Sequence, residues 1–515
     1  MTATRLSKPR FDRGKLLLIV LFGVGIFIRL IPVITGNTFF WFDQGLDTLM
    51  VQILVVNHKI NLISRYSGLS GVLMGPLWTW LLAIPFALTH GDVRAFSLFM
   101  SLLSLVSAGI TFVFVKKLFN FLTAIIATAW ILLAPIFVFN STVAASPHPL
   151  TSLFILFIWF SYELFVNKKS KFWIPLLLLC GIFFQFEIGF GLFTLPVVLV
   201  LMIIFKKLPD RYFFLGVLAG ALTFAPQILF DFRHSFIITK GFLGIFGRNS
   251  LYSAHNSLLG RFGDRAWSFG DDFLTMVLLF RNPLIVIPAV LAMIYGWYLS
   301  NQKKLLVILV TIIAVFYVGF SFYPGPLWVW YRAGLPIVYV LLFAVPISII
   351  WQKFKLFRIF LLLFFLSWIV YAIKPADIKA QLSGKIVNDV SSRKTQEMVL
   401  DYIYKDAAGK PFAYYAYTPP VYDYIWQYDF WQYGKGKYGY LPKNWQLDVP
   451  LLNIGTQPTP PTTDEGLFYL IMEPNPDRPW EPQGWATSFI KVGNILETKY
   501  FPGNVIVEKR MTEKL

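Results

Sequence analysis

Charge is scarce in this chain. Only 14% of its 515 residues are Asp, Glu, Lys or Arg, against roughly 25% in a soluble globular protein. Hydrophobic types reach 57%, aromatics 18%, and the mean hydropathy is +0.62. So little polar surface excludes a soluble enzyme, a nucleic-acid-binding module and a disordered chain. Cysteine is nearly missing as well. Cys180 stands alone inside an apolar run, which excludes an internal disulfide and a cysteine-based metal site. The chain has no phosphate-cradling glycine loop, no nucleophile elbow and no His-x-x-x-His pair, so ATP-driven pumps and the common hydrolases drop out. No repeat of fixed period is found, which weighs against solenoids and inverted-repeat transporters.

What is there reads as a polytopic membrane protein in two parts. Residues 1–373 carry 29 Lys and Arg against 11 Asp and Glu, so the whole net charge of +18 lies there. Residues 374–515 carry 16 of each and balance to zero. The excess sits in short clusters between apolar runs, the pattern that keeps loops in the cytoplasm. A spanning helix needs about 20 mostly apolar residues. Such runs lie near 16–34, 72–90, 95–115, 121–140, 149–166, 172–187, 189–205, 212–230, 283–299, 305–322, 327–350 and 356–373. The basic tail of Arg5, Lys8, Arg10, Arg13 and Lys15 predicts a cytoplasmic N-terminus and an uncleaved first helix.

Lys116/Lys117, Lys168/Lys169/Lys171, Lys206/Lys207/Arg211, Lys303/Lys304 and Lys353/Lys355/Arg358 alternate with loops lacking them. This places 35–71, 141–148, 231–281, 323–326 and 374–515 outside. Lys116 fits only if one run between 72 and 115 does not fully cross, unless these lysines are exceptions to the rule. The expectation is eleven crossings, or thirteen if a long run is broken, in the cell membrane. The pair of runs around Gln185 to Gly191 reads as two half-helices. The fold class expected is an all-α membrane bundle of about 11–13 helices followed by a small α/β soluble domain. Strands are expected at 466–472 and 504–508.

The outer loops hold the chemistry. In Trp41-Phe-Asp43-Gln-Gly-Leu-Asp47, the two carboxylates stand at i and i+4, on one face of a helix that would lie on the membrane surface. Such carboxylates suit general-base work or metal binding. Asp43 as a plain helix cap is the bland alternative. Glu187, between two apolar runs, is a costly ionisable group and either functional or bonded to a neighbouring helix. Asp231-Phe-Arg233-His234 packs three chemistries into four residues. Arg233 has the fork that suits phosphate, and His234 with Asp43 or Glu187 could hold a divalent cation. The plain alternative there is an interfacial belt of charge. Lys240, Arg248, Arg261 and Arg265 follow, available to an anionic head group. His148, between two prolines, and Arg332, after Pro324-Gly-Pro326, complete the set. Nine Tyr and two Trp crowd 412–440. They suit sugar rings or, more simply, packing against the membrane part.

The layout resembles the polytopic glycosyltransferases of the C-type fold. It is most similar to the dolichyl-phosphate-mannose protein mannosyltransferase-like family (glycosyltransferase family 39) and its bacterial aminoarabinose-transferase relatives. The resemblance rests on Asp43 in the first outer loop, Gly75-Pro76-Leu77 where relatives have Pro-Pro-Leu, the loop opening Phe-Asp-Phe-Arg-His, and a C-terminal soluble domain. Gln44 and Met74-Gly75 depart from the Glu and Lys that relatives often carry. The resemblance implies a monosaccharide moved from a polyprenyl-phosphate carrier to an acceptor hydroxyl, with inversion. Asp43 and Asp47 would be catalytic, with Asp43 the base. Arg233 and Arg332 would contact the donor phosphate, and Glu187, His234 and His148 would support the site or bind metal. The implied partners are the polyprenyl-phosphate sugar, membrane lipid and an acceptor that is protein, lipid or glycan, with no nucleic acid. A divalent metal ion is the one cofactor left open. A secondary transporter or lipid-linked-sugar flippase is the competing reading.

Overall fold

The computed structural model describes residues 13–67, 72–245, 257–383, 385–419, 422–444, 466–487 and 494–511. The expected cytoplasmic cations Arg5, Lys8 and Arg10, and Arg248 of the middle segment, lie outside these residues.

The apolar runs all fold as helices. They are α1 (Arg13–Thr35), α2 (Phe42–Val55), α3 (Leu77–Thr89), α4 (Val93–Leu118), α5 (Phe121–Leu133), α6 (Pro135–Thr142), α7 (His148–Ser161), α8 (Trp173–Phe186) and α9 (Ile188–Ile204). Next come α10 (Arg211–Leu222), α11 (Ala225–Arg233), α12 (Ile237–Ile245), α13 (Leu258–Asp272), α14 (Pro283–Leu299), α15 (Lys303–Phe322), α16 (Pro336–Lys353) and α17 (Phe357–Ile373). Polar residues mark the starts. Asn120 accepts from Thr123 N at 3.0 Å, Asp210 from Tyr212 N at 2.9 Å and Asn282 from Leu284 N at 2.9 Å. The bend of 53° between α5 and α6 follows from Pro135, which forces Ala134 into an extended conformation. Glu187 is extended too and ends α8, so the run expected as two half-helices is two separate helices meeting there.

Among the described residues six helices are long and apolar enough to cross a membrane, or nine if each bent pair counts as one span. Three shorter apolar helices, Leu77–Thr89, Ser170–Phe186 and Ile188–Ile204, add to these. The basic clusters converge on one face of the bundle. Lys117 and Lys169 both pair with buried Glu163, at 2.6 and 2.8 Å, and Lys207 bonds Ser170 at 2.7 Å. At the other end of α4, the Tyr428 hydroxyl donates to Gly91 O at 2.5 Å. The 26 residues of α4 span about 39 Å between these faces. Helix α3 does not make that journey. Trp78 at its start bonds Asp47 of α2, and Phe86 near its end stacks on Trp431. Both of its ends thus lie against α2 and the C-terminal domain.

Two expectations change. Residues 231–281 are not an open loop: α12, α13 and a π turn at Phe273–Leu278 fill the described part. Ser257 caps α13, and Arg265, Phe269 and Asp272 fall on one buried helical stripe, which a reading by polarity alone misses. The second change concerns α2. Beyond the surface helix expected, it has a buried face packed between α3 and the C-terminal domain. A Cβ on Gly45 would meet the Ile425 backbone at 2.8 Å.

After α17 come α18 (Ile378–Leu382), α19 (Arg393–Ala407), β1 (Ala413–Tyr417), α20 (Tyr424–Asp429), α21 (Lys435–Tyr438), β2 (Lys443–Asn444), β3 (Leu467–Met472), α22 (Glu481–Thr487), β4 (Asn494–Phe501) and β5 (Val505–Met511). The five strands form one sheet in the order β2-β1-β3-β5-β4, parallel on one side of β3 and antiparallel on the other. The aromatic segment packs against the bundle. Tyr424 meets Phe42 at 5.0 Å between ring centres, and Tyr428 meets Phe40 at 5.8 Å. The domain also grips the strand before α2. Phe40 N donates to Ser391 O at 2.7 Å, Arg393 N to Thr38 O at 2.9 Å, and Gln396 Nε2 to Phe40 O at 2.7 Å.

Candidate active site

A cavity of about 470 Å³ opens beside this grip. Its wall brings together Trp41 and Asp43 of the first loop, Arg65, His148, Glu187 and Arg332. Four of these were singled out from the sequence as chemical candidates: Asp43, His148, Glu187 and Arg332. They come from four separate stretches of chain, so the fold does what spacing alone could not.

Asp43 sits in the first turn of α2. It is not the cap, because the Gln44 side-chain oxygen accepts from Trp41 N at 3.1 Å instead. Its side chain is 34% exposed and forms an ion pair with Arg65. Asp47, one turn on, is fully buried behind Arg65 and does not line the cavity. It accepts from Trp78 Nε1 at 2.8 Å and stands 3.9 Å from Arg65 Nε. Burial pushes the Asp47 carboxyl up to about 6, against the pull of Arg65. Arg65 donates to Ser146 Oγ at 3.0 Å. Burial opposes its charge, but Asp47 and Asp43 together outweigh that and strengthen the guanidinium as a cation. The sequence reading missed Arg65. The signal was present: it is one of two cations in 35–71, beside two carboxylates.

Glu187 caps α9, accepting from Gly189 N at 3.2 Å, and faces the cavity. His148 holds Val143 O at 2.6 Å through Nδ1, with its ring edge-on to Phe139. Arg332 is buried and forked onto Asp272, with one contact at 3.0 Å. Asp272 is the second residue the sequence reading missed. Gly75 leaves room for Gln185: a Cβ there would fall 1.6 Å from Gln185 Oε1, so a side chain at this position would displace the Gln185 amide. Gln185 in turn donates to Gln227 at 2.5 Å.

Arg233 and His234 are not brought to this cavity. His234 stacks on Phe230 at 3.9 Å and holds Phe230 O. Both are exposed at the end of α11. Asp231 is buried and spent on α12, accepting from Ile238 N at 2.7 Å and Thr239 Oγ1 at 2.5 Å. Arg261 holds the last turn of α15 through Ser321 O at 3.2 Å, and Arg265 holds the turn after it through Gly325 O at 2.7 Å. Among the described residues no three His, Cys, Asp or Glu side chains gather closely enough to hold a metal ion.

Residues 74–230 match the family described as dolichyl-phosphate-mannose-protein mannosyltransferase. A search of curated proteins returns no match. Among solved structures, the chain is similar to ArnT from Cupriavidus metallidurans bound to undecaprenyl phosphate. That match has a TM-score of 0.59 and 12% identity, and covers 96% of this chain and 97% of that one. The apo state of the same protein gives 0.58 and 11%, over 97% and 98%. An oligosaccharyltransferase from Archaeoglobus fulgidus is more distant, at 0.47 and 13% over 83% and 62%. The chain is thus an integral, multi-pass membrane protein with the fold of the C-type glycosyltransferases. The resemblance read from Asp43, Gly75-Pro76-Leu77 and the terminal domain is borne out.

Proposed function

We propose that this protein is a membrane glycosyltransferase that moves a monosaccharide from a polyprenyl-phosphate carrier to an acceptor hydroxyl, with inversion. The observation that carries the reading is the convergence of Asp43, Glu187, His148 and two arginines on one cavity in a chain of this fold. Its volume is in the range of small-molecule sites. In this reading Asp43, the accessible carboxylate, takes the acceptor's proton as the oxygen attacks the anomeric carbon. Asp47 supports it through Arg65. Arg332, already balanced by Asp272, meets the donor phosphate with its remaining N–H groups and offsets the charge that develops there. Glu187 and His148 line the sugar's surroundings.

The cavity lies on the face of the C-terminal domain, which by the basic clusters is the extracytoplasmic side. The comparison with a protein bound to undecaprenyl phosphate supports a lipid-linked donor. The acceptor class stays open among protein, lipid and glycan. The test is release of polyprenyl phosphate from a sugar-lipid mixture by the purified protein. The wild type is expected to release it and Asp43→Asn to fail. Full activity in Asp43→Asn, or bidirectional movement of intact sugar-lipid without release, overturns the reading.

A further inference from the structure

Two arginines face the cavity, and they are held differently. Arg332 is fixed: its fork grips buried Asp272, and its third nitrogen donates to Leu327 O at 3.3 Å. Arg65 is held loosely for a buried guanidinium. One terminal nitrogen pairs with Asp43 and the other bonds Ser146. Its Nε has no hydrogen-bond partner, and neither has Asp47 Oδ1, 3.9 Å away. Glu187 adds a further negative neighbour. Arg65 is therefore attracted from several sides, with one of its three nitrogens left uncommitted.

The proposed reaction moves one negative charge. The acceptor O–H bond breaks and its proton goes to Asp43, whose charge falls from −1 to 0. The acceptor oxygen bonds the anomeric carbon. The bond from that carbon to the phosphate oxygen breaks, and its electron pair leaves with the phosphate, which changes from a monoanion to a dianion. We propose that Arg65 is the counter-ion that follows this charge: it neutralises Asp43 before reaction and turns to the departing phosphate as Asp43 is protonated. This rests on the reading above and gives the same site a second phosphate contact. Asp47 keeps the guanidinium from leaving the cavity wall. The arrangement spares the site an unpaired buried charge at either end of the reaction, which would otherwise be costly.

The prediction is specific because Asp43 and the phosphate compete for one guanidinium. Undecaprenyl phosphate, without sugar, is titrated onto the purified protein in detergent. Asp43→Asn removes the competitor and is expected to bind it about tenfold more tightly, the low end of what a close charge pair contributes. The double variant Asp43→Asn/Arg65→Gln removes both members of the pair and is expected to lose that gain. Arg65→Lys placed in the Asp43→Asn background, which keeps the charge without the fork, is expected to fall between the two. No tightening in Asp43→Asn, or tightening that persists in the double variant, overturns the proposal. Turnover is read in parallel. Activity retained by Asp43→Asn sinks the enzymatic reading itself, whereas lost activity with unchanged phosphate binding sinks only the role of Arg65.

Discussion

The first loop and the middle segment begin alike in the sequence and end differently in the fold. Each follows an apolar run, and each sets an aspartate with a further charged group within a few residues. In the first, Asp43 and Asp47 are buried or half-buried, share Arg65, and face or back a cavity. In the second, Asp231 caps a helix while Arg233 and His234 stay exposed and away from the cavity. Density of charge along the chain is common to both. What separates them is enclosure. The C-terminal domain closes over α2, whereas α11 ends with Phe232 and Arg233 exposed.

The largest expected effect breaks the first loop. Asp43→Asn keeps shape but cannot accept a proton, and removing a general base lowers rate by about 10²–10⁴. The variant should still fold and insert, since an amide is cheaper to bury than a charge. Single-turnover transfer of labelled sugar, with Asp231→Asn as the partner variant, sharpens the comparison. Asp231→Asn is expected to keep turnover and lose some thermal stability, because it loosens the turn into α12. Equal losses of turnover in both would erase the distinction drawn here.

The next effect lies in the part of the middle segment that does reach the cavity. Asp272→Ala leaves Arg332 buried without its carboxylate. Removing one partner of a buried pair costs about 3–5 kcal/mol, so thermal unfolding in detergent should shift clearly downward. Removing Asp92, whose pair with Arg94 is partly exposed, should cost far less.

The bundle was legible because membrane helices announce themselves by length and hydropathy, and every run expected is a helix. Asp43, Glu187, His148 and Arg332 were legible as ionisable or conformationally fixed residues in places where such groups are rare. Arg65 was legible but overlooked, a cation in the same loop as two carboxylates, whereas Asp272 was not legible, because it gains meaning only from a partner far along the chain. Asp272 serves Arg332 across 60 residues. The amphipathic α13 was hidden by its polarity, which resembled a loop until the buried stripe appeared. Of the sheet, β3 and β5 were visible as apolar runs. β1 was not, since its Ala-Tyr-Tyr-Ala-Tyr sequence sits inside an aromatic segment without alternation.

A smaller effect belongs to the C-terminal domain. Glu473 follows β3 and is buried, bonded by Trp426 Nε1 at 2.9 Å. Burial pushes its carboxyl up from 4.5 to about 8, and nearby Asp423 adds to that. A carboxyl whose folded value lies above its unfolded one binds more protons when folded. Its stabilising contribution is therefore complete below about 4.5 and falls as pH rises through 8. Stability of the domain should decline across that window, and Glu473→Gln should flatten the decline. Unfolding followed at several pH values by tryptophan fluorescence reads this directly. A variant with the same slope as the wild type would show that other groups set it.

The smallest effect is expected at Arg233, and it is the most direct check on the comparison. Its sequence setting, between Asp231 and His234 at a helix exit, made it a phosphate contact. The fold leaves it exposed and outside the cavity, whose wall already carries Arg65 and Arg332. An exposed guanidinium in water contributes little to a ligand it does not touch, and its field is screened within about 10 Å at ordinary salt. Arg233→Ala should therefore leave affinity for undecaprenyl phosphate within about twofold, whereas losing a charged hydrogen bond would cost about 1.5–3 kcal/mol, or more than tenfold. Titration of both forms at two salt concentrations separates the cases. A tenfold loss that survives high salt would mean that α11 and α12 close over the cavity when the donor binds, and the middle segment would rejoin the site.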